Sequence, residues 1–167
     1  MKTINHPFGP LYSNNSRILI LGSFPSVKSR EQQFFYGHPQ NRFWGVIAKI
    51  FDQPKPETIG EKKALILDNE LALWDSIASC EITGSSDSSI KNAKANDLSI
   101  ILENSKVEKI CCNGKKSFAL YTKYIEPKTG IKAVCLPSTS PANAAWTFDK
   151  LVDTWGRELL DGRGAKK

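Results

Sequence analysis

The chain of 167 residues is long enough for one ordinary domain, which can bury a hydrophobic core without disulfides or structural metals. Hydrophobic residues make up 40% of it and charged residues 24%, which excludes a disordered protein, and the net charge of +6 is too modest to indicate a nucleic-acid partner by itself. The apolar runs are too short to cross a bilayer and the first ten residues lack a secretory core, which predicts a cytoplasmic protein with no membrane partner.

Apolar runs and helical spacings alternate along the chain. After an irregular stretch at 1–16, a buried strand is predicted at 17–22, followed by loop-like sequence to residue 40 and a helical stripe that begins at Asn41. In chain order, the later sequence predicts a capped helix at 58–67, a strand at 71–77, a long Ser-rich loop at 79–95, a short helix from 96 or 97 to 102, a strand at 107–112, a helix at 114–124, a strand at 132–136, a loop at 137–143 and a helix at 144–160.

Strands that alternate with helices indicate an α/β fold, and we expect a three-layer α/β/α sandwich around a central four-stranded parallel sheet. We expect a single domain over residues 1–160, followed by a basic flexible tail at 161–167. Because ligands bind at the carboxyl ends of the strands in such sheets, the loops at 22–44, 113–115 and 136–143 are the places to look for a site.

The four cysteines include no C-x-x-C pair, and the adjacent Cys111 and Cys112 would point to opposite faces of a strand. Such an arrangement suits neither zinc nor an iron–sulfur cluster, so we expect small buried hydrophobic side chains and no metal site.

Both ends of the chain are basic and its middle is acidic. Residues 1–50 carry six basic and one acidic side chains, residues 51–100 carry five and nine, and residues 101–167 carry twelve and seven. If the fold brings the ends together, one electropositive face could attract a polyanion. A solvated, mildly basic surface explains the charges equally well.

The first loop combines aromatic rings with hydroxyls and amides, which is what binding of an extruded nucleobase requires. Its ring-stacking candidates are Phe24, Phe35 and Tyr36, its polar candidates for the base are Ser23, His38 and Asn41, and its phosphate-binding candidate is Ser26. Asn41 could equally be a helix N-cap, and His38 could be a structural loop histidine. Phe43 and Trp44 fit core positions of the following helix.

The last loop, LPSTSPANA, places a run of hydroxyls just before a helix. Ser138, Thr139 and Ser140 could donate to phosphate oxygens, as could free backbone N–H groups. A capped turn is the alternative, although one cap would explain only one of the three hydroxyls.

Three motifs together resemble the uracil-DNA glycosylase superfamily, in particular its hypoxanthine-DNA glycosylase branch near the mismatch-specific uracil/thymine glycosylases. They are GSFPS at 22–26, GHPQNRFW at 37–44 and LPSTSP at 136–141. The resemblance implies a four-stranded parallel sheet between helices. It also implies a monofunctional glycosylase that flips and excises a deaminated base, with hypoxanthine as the expected substrate and uracil as a possible one. It further implies a monomer that acts without a cofactor on double-stranded DNA with a deaminated or mismatched base, near the nucleoid.

The motifs also depart from the uracil-processing relatives, which place Asn, Asp or Glu where this chain has Phe24 and often His or Asn where it has Leu136. The hypoxanthine branch implies that the amide role moves to Asn41, as a catalytic residue that positions the water or holds the base. The same resemblance implies that Asn113 reads the purine edge, for which a strand-to-helix cap is the alternative. A non-catalytic nucleic-acid-binding module and a hydrolase of free nucleotides remain competing interpretations.

Overall fold

The computed structural model describes residues 2–160. The predicted basic tail at 161–167 lies outside the described residues. The strands in this range are β1 (Thr3–Asn5), β2 (Ile18–Gly22), β3 (Leu71–Asp75), β4 (Ile77–Glu81), β5 (Lys91–Ala95), β6 (Lys109–Asn113) and β7 (Val134–Leu136). The α-helices are α1 (Val27–Gln32), α2 (Phe43–Ile50), α3 (Ile59–Asp68), α4 (Ser99–Glu103), α5 (Lys115–Leu120), α6 (Glu126–Thr129) and α7 (Phe148–Leu159), with a π-helical turn at Tyr121–Ile125 joining α5 to α6.

The central sheet is parallel and has the strand order β3-β2-β6-β7, which confirms the predicted α/β fold with a four-stranded parallel sheet and flanking helices. Every residue of β2 and β3 is buried, which explains why both strands are continuous apolar runs rather than alternating ones. Phe43 and Trp44 lie in the same core, as predicted. Within residues 2–160, no helix is both long and apolar enough to cross a bilayer.

The register of this sheet brings four chain positions to one edge. Gly22 at the end of β2 pairs with Asp75 at the end of β3, and Asn113 at the end of β6 pairs with Leu136 at the end of β7. Since the strands are parallel, all four carboxyl ends open toward the same side of the molecule. The loops predicted to carry the site therefore begin next to one another.

A second sheet contradicts two of the predicted loops. It is antiparallel, has the order β1-β4-β5, and uses parts of the stretches 1–16 and 79–95 that were predicted to be irregular. Its strand β5, KNAKA, is largely exposed and carries no apolar alternation, so no hydrophobic pattern marks it as a strand. Its backbone pairing with β4 stabilises it, and a small hydrophobic cluster of Phe24, Ile77, Cys80, Ile82 and Ile90 lies beside it.

Helix boundaries follow capping chemistry more closely than apolar spacing. The predicted capping box at Thr58 is present, with the Thr58 hydroxyl accepting from the Glu61 N–H over 3.1 Å. The last helix begins at Phe148 rather than at residue 144, because Thr147 caps it by accepting from the Lys150 N–H. The stretch 27–40, predicted as a loop, contains α1, which Ser26 caps. Cys135 is exposed on the short edge strand β7, unlike the other three cysteines, which are buried as predicted.

Candidate active site

A cavity of about 280 Å³ opens at the carboxyl edge of the parallel sheet, close to the lower limit of small-molecule pockets at roughly 300 Å³. Residues from the loops after β2, β6 and β7 line it together with residues from the β4–β5 connection. The structure brings every residue singled out from the sequence to this one cavity: Ser23, Phe24, Ser26, Phe35, Tyr36, His38, Asn41, Asn113, Ser138, Thr139 and Ser140.

Three side chains from three segments form one hydrogen-bonded series at the cavity wall. The Thr139 backbone N–H donates to Asn113 Oδ1 over 3.0 Å, and Asn113 Nδ2 donates back to Thr139 Oγ1 over 3.0 Å. The Thr139 hydroxyl donates to Asn41 Oδ1 over 2.8 Å, and the same oxygen accepts the Phe43 backbone N–H over 2.9 Å. Asn41 and Asn113, which the family resemblance implies to be the catalytic asparagines, with Asn113 at the purine edge, are thus joined through Thr139.

The direction of each bond in this series follows from the one before it. A backbone N–H can only donate, so the Asn113 atom that faces it is the oxygen, and the amide nitrogen is the donor to Thr139. The Thr139 proton is then directed to Asn41, whose oxygen accepts from two donors. Asn41 Nδ2 makes no hydrogen bond within residues 2–160, and it is not enclosed by protein. Asn41 therefore supports the start of α2 with its oxygen and retains an N–H donor at the cavity.

The serines on either side of Thr139 have different surroundings. Thr139 is fully buried and its hydroxyl is used by the two asparagines, so this hydroxyl is not available to a phosphate, contrary to the expectation from sequence. Ser138 Oγ accepts from the Ser140 N–H and Ser140 Oγ accepts from the Ala142 N–H, each over 3.1 Å. Because both hydroxyls act as acceptors here, their own protons remain available to an anion at the cavity mouth.

Arg42 fixes the loop that carries these hydroxyls, a role that sequence reasoning missed. Its backbone N–H donates to the Thr139 carbonyl, and its guanidinium donates to the carbonyls of Ser140, Asn143 and Trp146. These partly buried loop carbonyls need donors, and the planar guanidinium supplies several at once. The only signal in the sequence is the position of Arg42 next to Asn41.

The aromatic wall contains the three rings predicted to stack a base. Phe24 and Phe35 are buried and border the cavity. The Tyr36 ring is stacked on Phe43, with 4.0 Å between centroids, so one of its faces is already covered. Its hydroxyl is buried and, within residues 2–160, has no partner at hydrogen-bond geometry, although the Asn113 side chain lies close to it. Burial and the nearby Asp75 carboxylate raise the Tyr36 pKa, and the Asn113 side chain offsets only part of that rise. The phenol therefore stays protonated.

A buried Asp–His pair borders the cavity and was not anticipated. Asp75 closes β3 and accepts from His6 Nε2 over 2.6 Å, while His6 Nδ1 faces the Phe8 backbone N–H. Since a backbone N–H can only donate, Nδ1 is the acceptor in the contact with Phe8, and Nε2 is the donor to Asp75. A single Asp at the end of an apolar run was the only sequence signal, since His6 lies 69 residues away.

A second carboxylate reaches the cavity from the turn at Asp87–Ser89, inside the stretch predicted to be a plain loop. Asp87 Oδ1 accepts from the Ser23 hydroxyl over 2.7 Å, so Ser23 is held by a carboxylate. Burial of the carboxylate against the cavity wall raises the Asp87 pKa above its ordinary value of 3.8. Nothing in the Ser-rich sequence around it distinguishes this residue from a solvent-exposed turn aspartate.

Two other predicted residues have local partners. Ser26 caps α1 by accepting from the Ser29 N–H, and His38 Nδ1 accepts from the Gln40 N–H over 3.1 Å. Asn113 does not cap the helix that follows it, because its side chain is bonded to Thr139 and α5 begins after Gly114. In the described part of the chain, no group of three or more His, Cys, Asp or Glu side chains is placed to hold a metal ion.

Comparison with known proteins identifies the family. The model of the uracil DNA glycosylase superfamily matches residues 10–159. This chain belongs to that superfamily. The match includes all three motifs and every cavity residue singled out from the sequence, so the resemblance seen in the sequence is confirmed.

Two relatives share one name, and a solved structure carries the name of the superfamily's uracil-processing members. A protein of Methanosarcina acetivorans named hypoxanthine DNA glycosylase is 35% identical over 149 residues, which cover 88% of this chain and 93% of that protein. A protein of Methanosarcina barkeri with the same name is 32% identical over 112 residues, covering 66% and 71%. A solution NMR structure from M. acetivorans, described provisionally as a uracil DNA glycosylase, has a TM-score of 0.79 and 30% identity, covering 95% of this chain and 99% of that one.

Proposed function

We propose that this superfamily member is a DNA glycosylase that hydrolyses the N-glycosidic bond of a deaminated base, with hypoxanthine as the main substrate and uracil as a second one. Two relatives at 32–35% identity carry the name hypoxanthine DNA glycosylase. The observation that carries the chemistry is the ordered series Asn113–Thr139–Asn41, which leaves an amide N–H donor at the cavity. The wild-type chain should act as a monomer, since one chain supplies the entire lining.

Asn41 acts on the departing base in this proposal. When the glycosidic bond breaks, its electron pair leaves with the base and negative charge grows on the ring. A fixed N–H donor stabilises that charge without having to reorient, and such a donor is worth about 10²–10³ in rate. Asn41 is less suited to activate the water, because the only acceptor atom of its side chain already accepts from Thr139 and Phe43.

The water needs a different acceptor, and Asp87 is the group we assign to it. Phe24 occupies the position at which uracil-processing relatives carry a polar group, and it cannot accept a hydrogen bond. The Asp87 carboxylate comes from the β4–β5 connection and lies beside the loop that carries Phe24. It accepts a hydrogen bond from Ser23, the residue before Phe24, and borders the same cavity. Water oxygen would bond to the sugar C1′, the base would leave with the glycosidic electron pair, and the water proton would pass to the carboxylate or to the base.

Ser138 and Ser140 are the phosphate-binding residues of this proposal, because both hydroxyls keep a proton at the cavity mouth. Contacts to phosphates make DNA affinity fall as salt rises. The partner is double-stranded DNA in which the deaminated base is mispaired, since extrusion of a mispaired base costs the least.

The decisive experiment is a single-turnover assay on duplexes that each contain one deoxyinosine, deoxyuridine or undamaged base, followed by alkaline strand cleavage. We expect cleavage at deoxyinosine, slower cleavage at deoxyuridine, and none at undamaged sites. Duplex affinity should fall steeply with salt. Binding without cleavage would indicate a non-catalytic module, and salt-independent hydrolysis of free deoxyinosine would indicate a nucleoside hydrolase; either result would overturn the proposal.

A further inference from the structure

The inner end of the cavity contains two polar groups that the proposed mechanism does not use. Asp75 accepts from His6 through Oδ2, whereas Asp75 Oδ1 makes no hydrogen bond within residues 2–160 and is not enclosed by protein. The Tyr36 hydroxyl is buried nearby and has no partner at hydrogen-bond geometry in the described part of the chain. Both border the same cavity as Asn41 and Asn113.

The absence of a side chain at Gly22 creates this corner. A Cβ at Gly22 would lie 2.4 Å from Asp75 Oδ1 and 3.1 Å from the Tyr36 hydroxyl, so the two oxygens meet in the space that glycine leaves open. Gly22 ends the central strand β2 and Asp75 is its partner on β3, which makes this the floor of the cavity. A carboxylate acceptor at the edge of the sheet and a hydroxyl donor from the loop after α1 therefore border the same small space.

Contacts with neighbouring side chains fix the orientation of each group. His6 donates through Nε2, so Asp75 remains an acceptor and its second oxygen is fixed in direction. The stack of Tyr36 on Phe43 fixes the phenol ring, and the backbone of Tyr36 has a positive φ of 51°, which is unusual for a bulky residue. An unpaired buried hydroxyl together with such a backbone is a cost that a ligand can offset.

The pattern of donor and acceptor matches one feature of deaminated bases. Deamination turns the amino group of adenine or cytosine into a carbonyl and turns the neighbouring ring nitrogen from an acceptor into an N–H donor. We propose, on the basis of the glycosylase function, that Asp75 accepts this ring N–H while the Tyr36 hydroxyl donates to the adjacent carbonyl. The pair would thus separate deaminated bases from their amino-bearing parents.

Adenine does not match this donor and acceptor pattern at its ring nitrogen. Its N1 presents a lone pair to Asp75 Oδ1, and two acceptors that face each other form no hydrogen bond. A site that leaves its own buried polar groups unpaired rejects the wrong ligand strongly. Guanine and thymine carry the same ring N–H, so this pair accounts for the rejection of adenine and cytosine only. Asp75 and Tyr36 are specificity-determining residues, and His6 is a positioning residue.

The test compares two duplexes on each protein variant, so that partial loss of folding cancels from the ratio. One duplex carries 2′-fluorinated deoxyinosine and the other 2′-fluorinated deoxyadenosine, opposite the same base, because these bonds resist hydrolysis. The proteins are the wild type, Tyr36→Phe and Asp75→Asn, with Tyr124→Phe as the matched control at a tyrosine outside the cavity.

We expect the wild type and Tyr124→Phe to prefer the deoxyinosine duplex equally. The preference should fall about fivefold in Tyr36→Phe and at least tenfold in Asp75→Asn, in keeping with one lost hydrogen bond each. Tyr36→Phe removes only an unpartnered hydroxyl, so its melting temperature should not fall, and this variant keeps the test valid if Asp75→Asn folds poorly.

Two results would overturn the proposed role of Asp75 and Tyr36. One is equal binding of both duplexes by the wild type, and the other is an unchanged preference in Tyr36→Phe and in folded Asp75→Asn. Cleavage of deoxyinosine by the wild type in the second case would leave the glycosylase function intact. If the wild type fails to cleave any deaminated base, the proposed function fails. The binding ratios still decide whether Asp75 and Tyr36 recognise the ring N–H and the adjacent carbonyl of a deaminated base.

Discussion

The two sides of the cavity differ in how their polar atoms are satisfied. On the side of Asn113, Thr139 and Asn41, a continuous series of bonds uses the side-chain oxygen of each residue and leaves the Asn41 amide nitrogen as a donor at the cavity. On the side of Tyr36 and Asp75, a buried hydroxyl and one carboxylate oxygen have no hydrogen-bond partner among residues 2–160. A series in which every oxygen already accepts a hydrogen bond holds the Asn41 donor in place for negative charge that develops in the reaction. Groups without a partner can instead bind a ligand that supplies one.

The largest expected effect is at the saturated side. Asn41→Asp keeps the oxygen that accepts from Phe43 and Thr139 and removes the N–H donor, so the fold should be retained while deoxyinosine cleavage falls by about 10²–10³. Single-turnover rates and thermal melting would be measured on the same preparation. A rate within threefold of wild type would reduce Asn41 to a structural role at the start of α2.

An intermediate effect is expected at the carboxylate on the cavity rim. Asp87→Asn should lower the cleavage rate by about 10², the lower end for loss of a positioned general base. Burial raises the Asp87 pKa above 3.8, and only the ionised form accepts from water, so the wild-type rate should fall as pH decreases through that raised pKa. The variant should lose this acidic limb of the pH–rate profile. An identical limb in both proteins would assign it to another group.

The smallest effect is expected at Thr139, where it shows whether this residue positions the two asparagines or binds a DNA phosphate. Thr139→Val removes the hydroxyl between the two asparagines, and we expect a loss of about 1–3 kcal/mol in stability from the unpaired amides and about tenfold in rate. Thr139→Ser keeps the hydroxyl and should restore the rate. DNA affinity at several salt concentrations is the discriminating measurement, since a phosphate ligand would change its salt slope and Thr139 should not.

The parts of the fold that the sequence predicted are those with a local signal. Continuous apolar runs indicated the strands of the parallel sheet, and the Thr58 capping box indicated the start of a helix. The antiparallel sheet was missed because β5 is polar and owes its form to pairing with β4. The 144–160 helix was predicted too early because apolar spacing does not show that Arg42 holds the preceding carbonyls in a loop.

The sequence by itself determined the parallel sheet, the family and the loop residues that meet at the cavity, although not the carboxylates Asp75 and Asp87, because strand patterns and loop motifs are local and parallel strands bring their ends together. Only the tertiary structure decided which atoms are free to act. Asn41 meets Thr139 across 98 residues and Asp75 meets His6 across 69, and the direction of a hydrogen bond depends on both of its partners. Thr139 was predicted to bind phosphate because a residue type shows what a side chain can bind, whereas its neighbours in space determine which of those bonds remain available.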